Sequence, residues 1–174
     1  VGGQDDLVFD GDSLLVDATG KLIGRAKQFE SDVIFFDIDS KQDIQMIGEP
    51  RITKNDDREQ VWNALVLGLR DYVNKNGFKS VVLGLSGGID SAVCASIAAD
   101  AIGADRVFGV SMPSRYSSEH SRSDADDSAE RIGLHFRTEP IESMVKAFES
   151  QLGLDGVAAE NLQARMRGVI LMGL

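Results

Sequence analysis

A glycine-containing turn between an apolar strand and an apolar helix constrains this chain more than any other feature. The turn, residues 86–91 (Ser-Gly-Gly-Ile-Asp-Ser), follows the apolar run 81–85 and leads into the apolar run 89–101. Glycine lets a backbone approach a phosphate closely, and the first amides of a helix point at an anion placed there. The turn has neither the Gly-Lys-Ser/Thr of a Walker loop nor the three spaced glycines of a dinucleotide fingerprint. It therefore predicts a phosphate-binding loop of another type, with Ser86 and Ser91 as hydroxyl donors.

Strands and helices alternate along the later part of the chain. The predicted order is strand 80–85, helix 90–102, strand 106–111, loop 112–120, helix 121–132 and strand 135–140. Helical crossovers imply parallel strands with right-handed connections, so we expect an α/β fold with a doubly wound parallel sheet. Helices near residues 141–151 and from about residue 158 onward follow, and the sheet is expected to be incomplete. Ligands of such sheets bind at the carboxyl ends of the strands.

The earlier part of the chain has a different pattern. Residues 1–39 are expected to form a hairpin, from residues 13–17 and 21–26, and one further strand at residues 33–36. Such a set is too small to be a stable domain, so it is interpreted as the tail of a larger one. The polar residues 40–55 are predicted to be a linker. A helix then runs from residue 56 to about Gly77. Helical spacing predicts its core stripe to be Val61, Trp62, Leu65, Leu69, Tyr72 and Val73.

Charge and composition exclude several classes of partner. The 174 residues carry a formal net charge of −10 without a block of Lys or Arg, so no nucleic-acid partner is expected. Apolar runs stay well short of the ~18 residues of a membrane span, and the sequence opens on no secretory leader, so a cytoplasmic location is expected. Cys94, the single cysteine, lies in an apolar helical run and is expected to be a buried core thiol.

Asp90 is the candidate metal ligand. A lone carboxylate beside a phosphate would repel it, so Asp90 makes chemical sense there when a cation such as Mg²⁺ bridges the two. The alternative is that Asp90 caps the helix, and both roles can hold at once. His120 and His135 have no partner pair that would indicate general-base or metal chemistry, so neither is assigned a role.

Several stretches together resemble one enzyme family. The turn at residues 86–91 resembles the signature of the ATP pyrophosphatases, which cleave ATP between the α and β phosphates. Residues 1–11 look like the closing part of the nitrilase-like glutaminase domain of glutamine-dependent NAD synthetases. Residues 109–121 look like the loop after the second synthetase strand in the same family, and residues 161–168 look like its substrate helix.

The resemblance implies a fold and a domain organisation. The fold would be Rossmann-like, of the adenine nucleotide alpha hydrolase type, preceded by a short β-rich tail. Residues 1–39 would be the C-terminal part of the nitrilase-like glutaminase domain, residues 40–55 a linker, and residues 56–174 the N-terminal part of the synthetase domain.

The resemblance also implies a reaction. The nicotinate carboxylate of deamido-NAD would attack the α phosphorus of ATP, pyrophosphate would leave, and ammonia from glutamine would displace AMP to give NAD. The implied ATP-binding residues are Gly84, Ser86, Gly87, Gly88, Asp90, Ser91, Ser111 and Met112, with Mg²⁺ on Asp90. Asn161 and Arg165 would reach deamido-NAD, Arg165 through its planar fork of donors. For Arg165 the alternative is an exposed helix cation without a ligand.

The chain also departs from the family pattern. The Glu, Lys and Cys of the nitrilase chemistry, and the synthetase ligands beyond the Arg165 helix, lie outside these residues. We therefore expect an internal fragment, inactive alone, of a longer enzyme that forms homo-oligomers. Two alternatives stay open: another amidotransferase or tRNA-thiolating enzyme of the ATP pyrophosphatase type, and a fragment that only binds nucleotide.

Overall fold

The computed structural model describes residues 1–39, 43–48 and 55–174 and divides into two compact units, Val1–Asn76 and Gly77–Leu174. Short antiparallel hairpins make up most of the first unit. Its strands are β1 (Gly2–Gln4), β2 (Leu7–Phe9), β3 (Leu14–Val16), β4 (Leu22–Arg25), β5 (Phe36–Ile38) and β6 (Ile44–Met46). They pair as β1 with β2, β3 with β4 and β5 with β6.

The β3–β4 hairpin confirms the predicted one. Asp17 closes its turn, since Oδ1 accepts hydrogen bonds from the backbone N–H groups of Thr19 at 2.8 Å and Lys21 at 3.0 Å. The next strand begins later than predicted, at Phe36 instead of residue 33. β6 lies inside the predicted linker, because residues 44–46 pair with β5. Residues 40–42 and 49–54 of that linker lie outside the described residues.

Helix α1 (Asp57–Lys75) begins at a well-formed cap, where the Asp56 side chain accepts from the N–H groups of Arg58 and Glu59. The predicted core stripe was partly wrong. Val61, Leu65 and Tyr72 are exposed, while the buried positions of α1 are Val66, Leu67 and Val73. Apolar residues occupy more than one side of α1, and the side that packs is the one beside Gly68, where the backbone approaches β1 and β2.

The second unit confirms the predicted α/β fold with a parallel sheet. Its elements are β7 (Val81–Gly84), α2 (Ile89–Ile102), β8 (Val107–Ser111), α3 (Glu119–Ile132), β9 (His135–Thr138), α4 (Glu142–Leu152) and α5 (Gly156–Gly173). The strands are parallel in the order β7-β8-β9. Helices α2 and α3 contact each other and the strands, and α5 contacts both α4 and β7. The carboxyl ends of β7 and β8 therefore meet at one edge of the sheet.

The core of the second unit lies around β8. Val107 and Val110 are almost fully buried, and Val110 packs with Met112, Ile141, Val145 and Met166 from the following loop, α4 and α5. This cluster fixes α5 beside the end of β8. None of the helices in the described part of the chain has the length and apolar character needed to cross a membrane.

The expectation that Cys94 is a core thiol was wrong, because Cys94 is exposed. The side of α2 that packs against the unit carries Ala95, Ala98 and Ala101 instead. Apolar residues occupy every side of α2, so periodicity does not select the buried side. The small residues determine which side of α2 is buried, since they allow a helix to approach a sheet closely.

Candidate functional site

The predicted phosphate loop joins β7 directly to α2. β7 ends at Gly84, α2 begins at Ile89, and Gly88 occupies the N-cap position of α2. No side-chain hydrogen bond caps this helix end. The first amides of α2 and the positive end of its dipole are therefore directed toward the turn, an arrangement suited to an anion.

Two serines brace the loop from within. The Ser91 hydroxyl donates to the Gly88 carbonyl oxygen at 2.9 Å and accepts from the Ser86 backbone N–H at 3.2 Å. The Gly88 N–H donates to the Ser86 hydroxyl at 3.2 Å, and the two hydroxyls lie 3.2 Å apart. The loop is therefore held in shape by its own side chains, and both hydroxyls lie at the end of a helix where phosphate oxygens would be placed.

Gly87 cannot be replaced by a residue with a side chain without moving a neighbour. Its φ is +82°, in the left-handed region. A Cβ at this position would overlap the carbonyl oxygen of Ser121 and would lie 2.9 Å from the Ser121 Cα. Ser121 belongs to the first turn of α3, whose N-cap Ser118 accepts from the Ser121 N–H at 3.1 Å. Gly87 thus allows the loop to lie directly against the start of α3.

A cavity of about 290 Å³ lies beside the loop at the carboxyl ends of β7 and β8. It brings together four of the residues predicted to bind ATP, namely Gly84, Ser86, Ser111 and Met112. Ser111 and Met112 are buried. Gly84 makes room for Met112, because a Cβ on Gly84 would lie 3.1 Å from the Met112 Cε. The carboxyl-end position matches the general rule for open α/β sheets.

The loop after β8 is held from several sides. The Ser111 carbonyl accepts from the Glu139 N–H at 2.8 Å, and the Pro113 carbonyl accepts from the Ile141 N–H at 3.1 Å. Arg115 forms ion pairs with Glu149 at 3.3 Å and, more loosely, with Glu142 at 3.8 Å. These contacts fix the wall of the cavity before any ligand arrives.

Two arginines that the sequence reasoning did not assign also line this cavity. Arg122 reaches it from α3 and Arg167 from α5. The Arg167 Nε donates to the Met112 carbonyl oxygen at 3.2 Å. Arg167 also borders an adjoining open cavity of about 1060 Å³, which includes Ser114, Glu160 and Gln163. In a chain of net charge −10, these two arginines place positive charge beside the loop.

Asn161 and Arg165 lie elsewhere on α5. Both are exposed, and neither lines either of the two cavities that Arg167 borders. Arg165 and Arg167 are two positions apart, so a helix directs them to different sides. Gln163 lies one turn before Arg167 on α5 and lines the larger cavity with it, and Met166 between them is buried in the core. These positions show which side of α5 faces the cavities. The deamido-NAD role of Asn161 and Arg165 stays a prediction.

Asp90 occupies the second position of α2 and is exposed. The N-cap is Gly88, so Asp90 does not act as the cap. Among the described residues there is no group of three or more His, Cys, Asp or Glu side chains that could enclose a metal ion. A single carboxylate beside a phosphate loop still fits Mg²⁺, which commonly takes one or two carboxylates and completes its octahedron with substrate phosphates and water.

The comparisons with known proteins agree with this geometry. Residues 61–174 match the NAD synthase family. A glutamine-dependent NAD(+) synthetase of Synechocystis is 42% identical over all of this chain, which spans 32% of that relative. The glutamine-dependent NAD+ synthetase of Acinetobacter baumannii, solved in complex with ADP, superposes with a TM-score of 0.93 at 40% identity, over 99% of this chain and 34% of that one.

A shorter relative matches only part of the chain. The NH3-dependent NAD synthetase of Campylobacter jejuni, in complex with the nitrate ion, has a TM-score of 0.64 and 29% identity over 68% of this chain and 52% of that one. The chain itself spans about a third of the length of the glutamine-dependent relatives. Since the family match covers more than half of its residues and includes the phosphate loop and the cavity beside it, the chain belongs to the NAD synthase family.

Proposed function

We propose that this chain forms the ATP-binding part of a glutamine-dependent NAD synthetase, which converts deamido-NAD to NAD. The observation that supports it most is the cavity that joins the loop at Ser86 to Ser111 and Met112. It lies where an α/β sheet binds nucleotides, and the A. baumannii relative was solved with ADP. The family match favours deamido-NAD over the acceptors of other ATP pyrophosphatases.

The loop residues would hold the triphosphate of ATP. The hydroxyls of Ser86 and Ser91 lie together at the N-terminus of α2 and would donate to phosphate oxygens by exchanging their hydrogen bonds within the loop for bonds to the ligand. Mg²⁺, when bound through Asp90, would supply further neutralisation of phosphate charge. The protein's contribution is to position the reactants and to place donors where charge develops.

The adenine side would lie against the backbone of Ser111 and Met112, where the wall of the cavity is already fixed. Arg122 and Arg167 line this cavity together with Ser86 of the loop and would neutralise phosphate charge there. Because the Arg167 Nε is held by the Met112 carbonyl, its remaining N–H groups are directed by that bond. Ordering of this kind reduces the entropy lost when a ligand binds.

The proposed chemistry has two steps. The nicotinate carboxylate attacks the α phosphorus of ATP, a P–O bond forms, and pyrophosphate leaves with the electrons of the broken bond. Ammonia then attacks the activated carbonyl carbon, AMP leaves, and one proton is released to give the amide of NAD. Asn161 and Arg165, one helical turn apart on the exposed side of α5, are proposed to bind deamido-NAD.

Glutamine is proposed to supply the ammonia in the full-length enzyme. The Synechocystis and A. baumannii glutamine-dependent relatives cover 100% and 99% of this chain, whereas the NH3-dependent relative covers 68%. The family match starts at residue 61. Residues 1–39 are therefore proposed to be the end of a glutaminase domain, and residues 40–55 a linker.

Product analysis tests this proposal. The full-length enzyme, given ATP, deamido-NAD and ammonia, is expected to release one AMP and one pyrophosphate for each NAD formed. Release of ADP and orthophosphate instead would indicate an acyl phosphate and would contradict the adenylate. Absence of any NAD would contradict the assignment of the acceptor.

A further inference from the structure

Helix α1 binds the first strand of the chain through a specific set of contacts near its C-terminal end. The Asp71 Oδ2 accepts a hydrogen bond from the Gly3 backbone N–H at 2.8 Å. The Lys75 ammonium donates to the Gly3 carbonyl oxygen and lies 3.3 Å from the same Asp71 oxygen. Both backbone groups of one buried residue of β1 are thus held by two side chains of α1.

The packing around these contacts leaves little room for a side chain at Gly3 or Gly68. A Cβ on Gly3 would lie 3.1 Å from the Gly68 Cα, and a Cβ on Gly68 would lie 3.2 Å from the Val8 Cγ2. Backbone therefore lies against backbone where α1 meets β1. Such close approach makes the contact sensitive to position, since a shift of a few tenths of an ångström changes the hydrogen bonds of Asp71.

The same helix leads into the synthase part of the chain. α1 ends at Lys75, and residues 76–80 connect it to β7. The guanidinium of Arg106, directly before β8, donates to the Lys79 carbonyl at 2.7 Å and to the Phe78 carbonyl at 3.0 Å.

The family match begins within the same helix, at residue 61. β1 therefore lies before the family match, in a part of the chain that the Synechocystis glutamine-dependent relative also covers, while most of α1 belongs to the match. The contact of Asp71 and Lys75 with Gly3 therefore joins a segment associated with glutamine use to a helix of the synthase family. An enzyme that uses only free ammonia has no need of this contact.

We propose that Asp71 and Lys75 are positioning residues for the glutamine-dependent reaction: they hold β1, which lies before the family match, against α1, most of which lies within it, and so couple the two segments. This inference rests on the proposed function. Ammonia released into water is protonated at neutral pH and ceases to be a nucleophile. Loosening the contact therefore lowers the use of glutamine-derived ammonia and leaves the use of ammonia from solution intact.

The test compares two nitrogen sources in the full-length enzyme. For Asp71→Ala we expect the glutamine-supported rate of NAD formation to fall about tenfold, because a charge-assisted hydrogen bond is lost. The ammonia-supported rate should stay within about twofold of wild type, as expected for a residue that lines neither of the cavities that Arg167 borders. The glutamate released per NAD should rise. Asp71→Asn, which keeps an oxygen acceptor for the Gly3 N–H, should restore most of the glutamine-supported rate.

Two further variants keep the test decisive if Asp71→Ala folds poorly. Lys75→Met removes the donor to the Gly3 carbonyl from an exposed position. Like Asp71→Ala, it should lower the glutamine-supported rate and leave the ammonia-supported rate within about twofold of wild type. Asp57→Ala, which removes an exposed carboxylate at the other end of α1, should change neither. A parallel fall of both rates in Asp71→Ala and Lys75→Met, or an unchanged ratio, would overturn the inference. Wild-type enzyme that makes no NAD from ammonia would instead overturn the proposed function on which it rests.

Discussion

The backbone of Gly87 lies directly against the backbone of Ser121, so closely that a Cβ on Gly87 would overlap the Ser121 carbonyl oxygen. Gly87→Ala must therefore displace either the phosphate loop or the start of α3. We expect the affinity for ATP to fall by at least about a hundredfold, since several phosphate contacts, each worth roughly 1 kcal/mol or more, are lost together. Calorimetric titration of ATP measures this directly.

Gly133 provides the matched control. Its φ of +78° is close to that of Gly87, but a Cβ there would meet no atom within 4 Å. Gly133→Ala therefore introduces only the left-handed strain, about 1–2 kcal/mol, without the overlap. ATP affinity should be unchanged. Equal losses of ATP affinity in Gly87→Ala and Gly133→Ala would show that backbone strain, and not displacement of the phosphate loop, explains the weaker binding.

The second prediction separates the two arginines of α5. Arg167 lines the cavity and holds the Met112 carbonyl, so Arg167→Ala should lower the kcat/KM of adenylation by about ten- to a hundredfold. Arg165→Ala should raise the deamido-NAD requirement and leave ATP affinity nearly unchanged. Arg165→Lys should restore deamido-NAD binding only in part, because lysine keeps the positive charge but lacks the planar fork of donors. A fall in ATP affinity with Arg165→Ala would contradict its assignment to deamido-NAD.

The third prediction concerns the metal. Asp90→Asn in the full-length enzyme should keep the fold but lose adenylation by at least about a hundredfold, because an amide ligates Mg²⁺ weakly. Asp126→Asn, at an exposed position of α3, is the control for removing one negative charge. Normal adenylation by Asp90→Asn at every Mg²⁺ concentration would show that Asp90 is not a ligand.

The fourth prediction concerns the dependence of stability on pH. The Gly3 backbone N–H, together with Lys75, lowers the pKa of Asp71 despite the opposing effect of burial. A carboxyl whose pKa is lower in the folded state stabilises that state above its unfolded pKa of about 4, and this contribution disappears as the pH falls through the folded pKa. The Tm difference between wild type and Asp71→Asn should therefore be largest near neutral pH and shrink below about pH 4. A difference independent of pH would contradict this role of the charge.

Local signals allowed much of the second unit to be predicted from the sequence. The glycines and apolar runs around residues 81–102 specify a strand, a turn and a helix through short-range effects, and the structure follows them. Gly84, Ser86, Ser111 and Met112 meet in one cavity because parallel strands place their carboxyl ends together. Predicting that these residues meet depends only on the order and direction of the strands.

Features that depend on packing between distant segments were missed. The buried side of α1 is set by Gly3 and Gly68, and the exposure of Cys94 is set by the alanines of α2. Arg167 faces the cavity, and Arg165 does not, because Met166 anchors α5 in the core. None of these orientations follows from spacing alone, since each helix carries suitable residues on more than one side.

The exchange of labelled pyrophosphate into ATP tests the central claim most directly. If the loop at residues 86–91 binds ATP for attack by deamido-NAD, the full-length enzyme should catalyse this exchange without glutamine or ammonia, and only when deamido-NAD is present. Gly87→Ala should abolish the exchange, and Gly133→Ala should retain it. Exchange that proceeds without deamido-NAD, or that survives Gly87→Ala unchanged, would contradict the account.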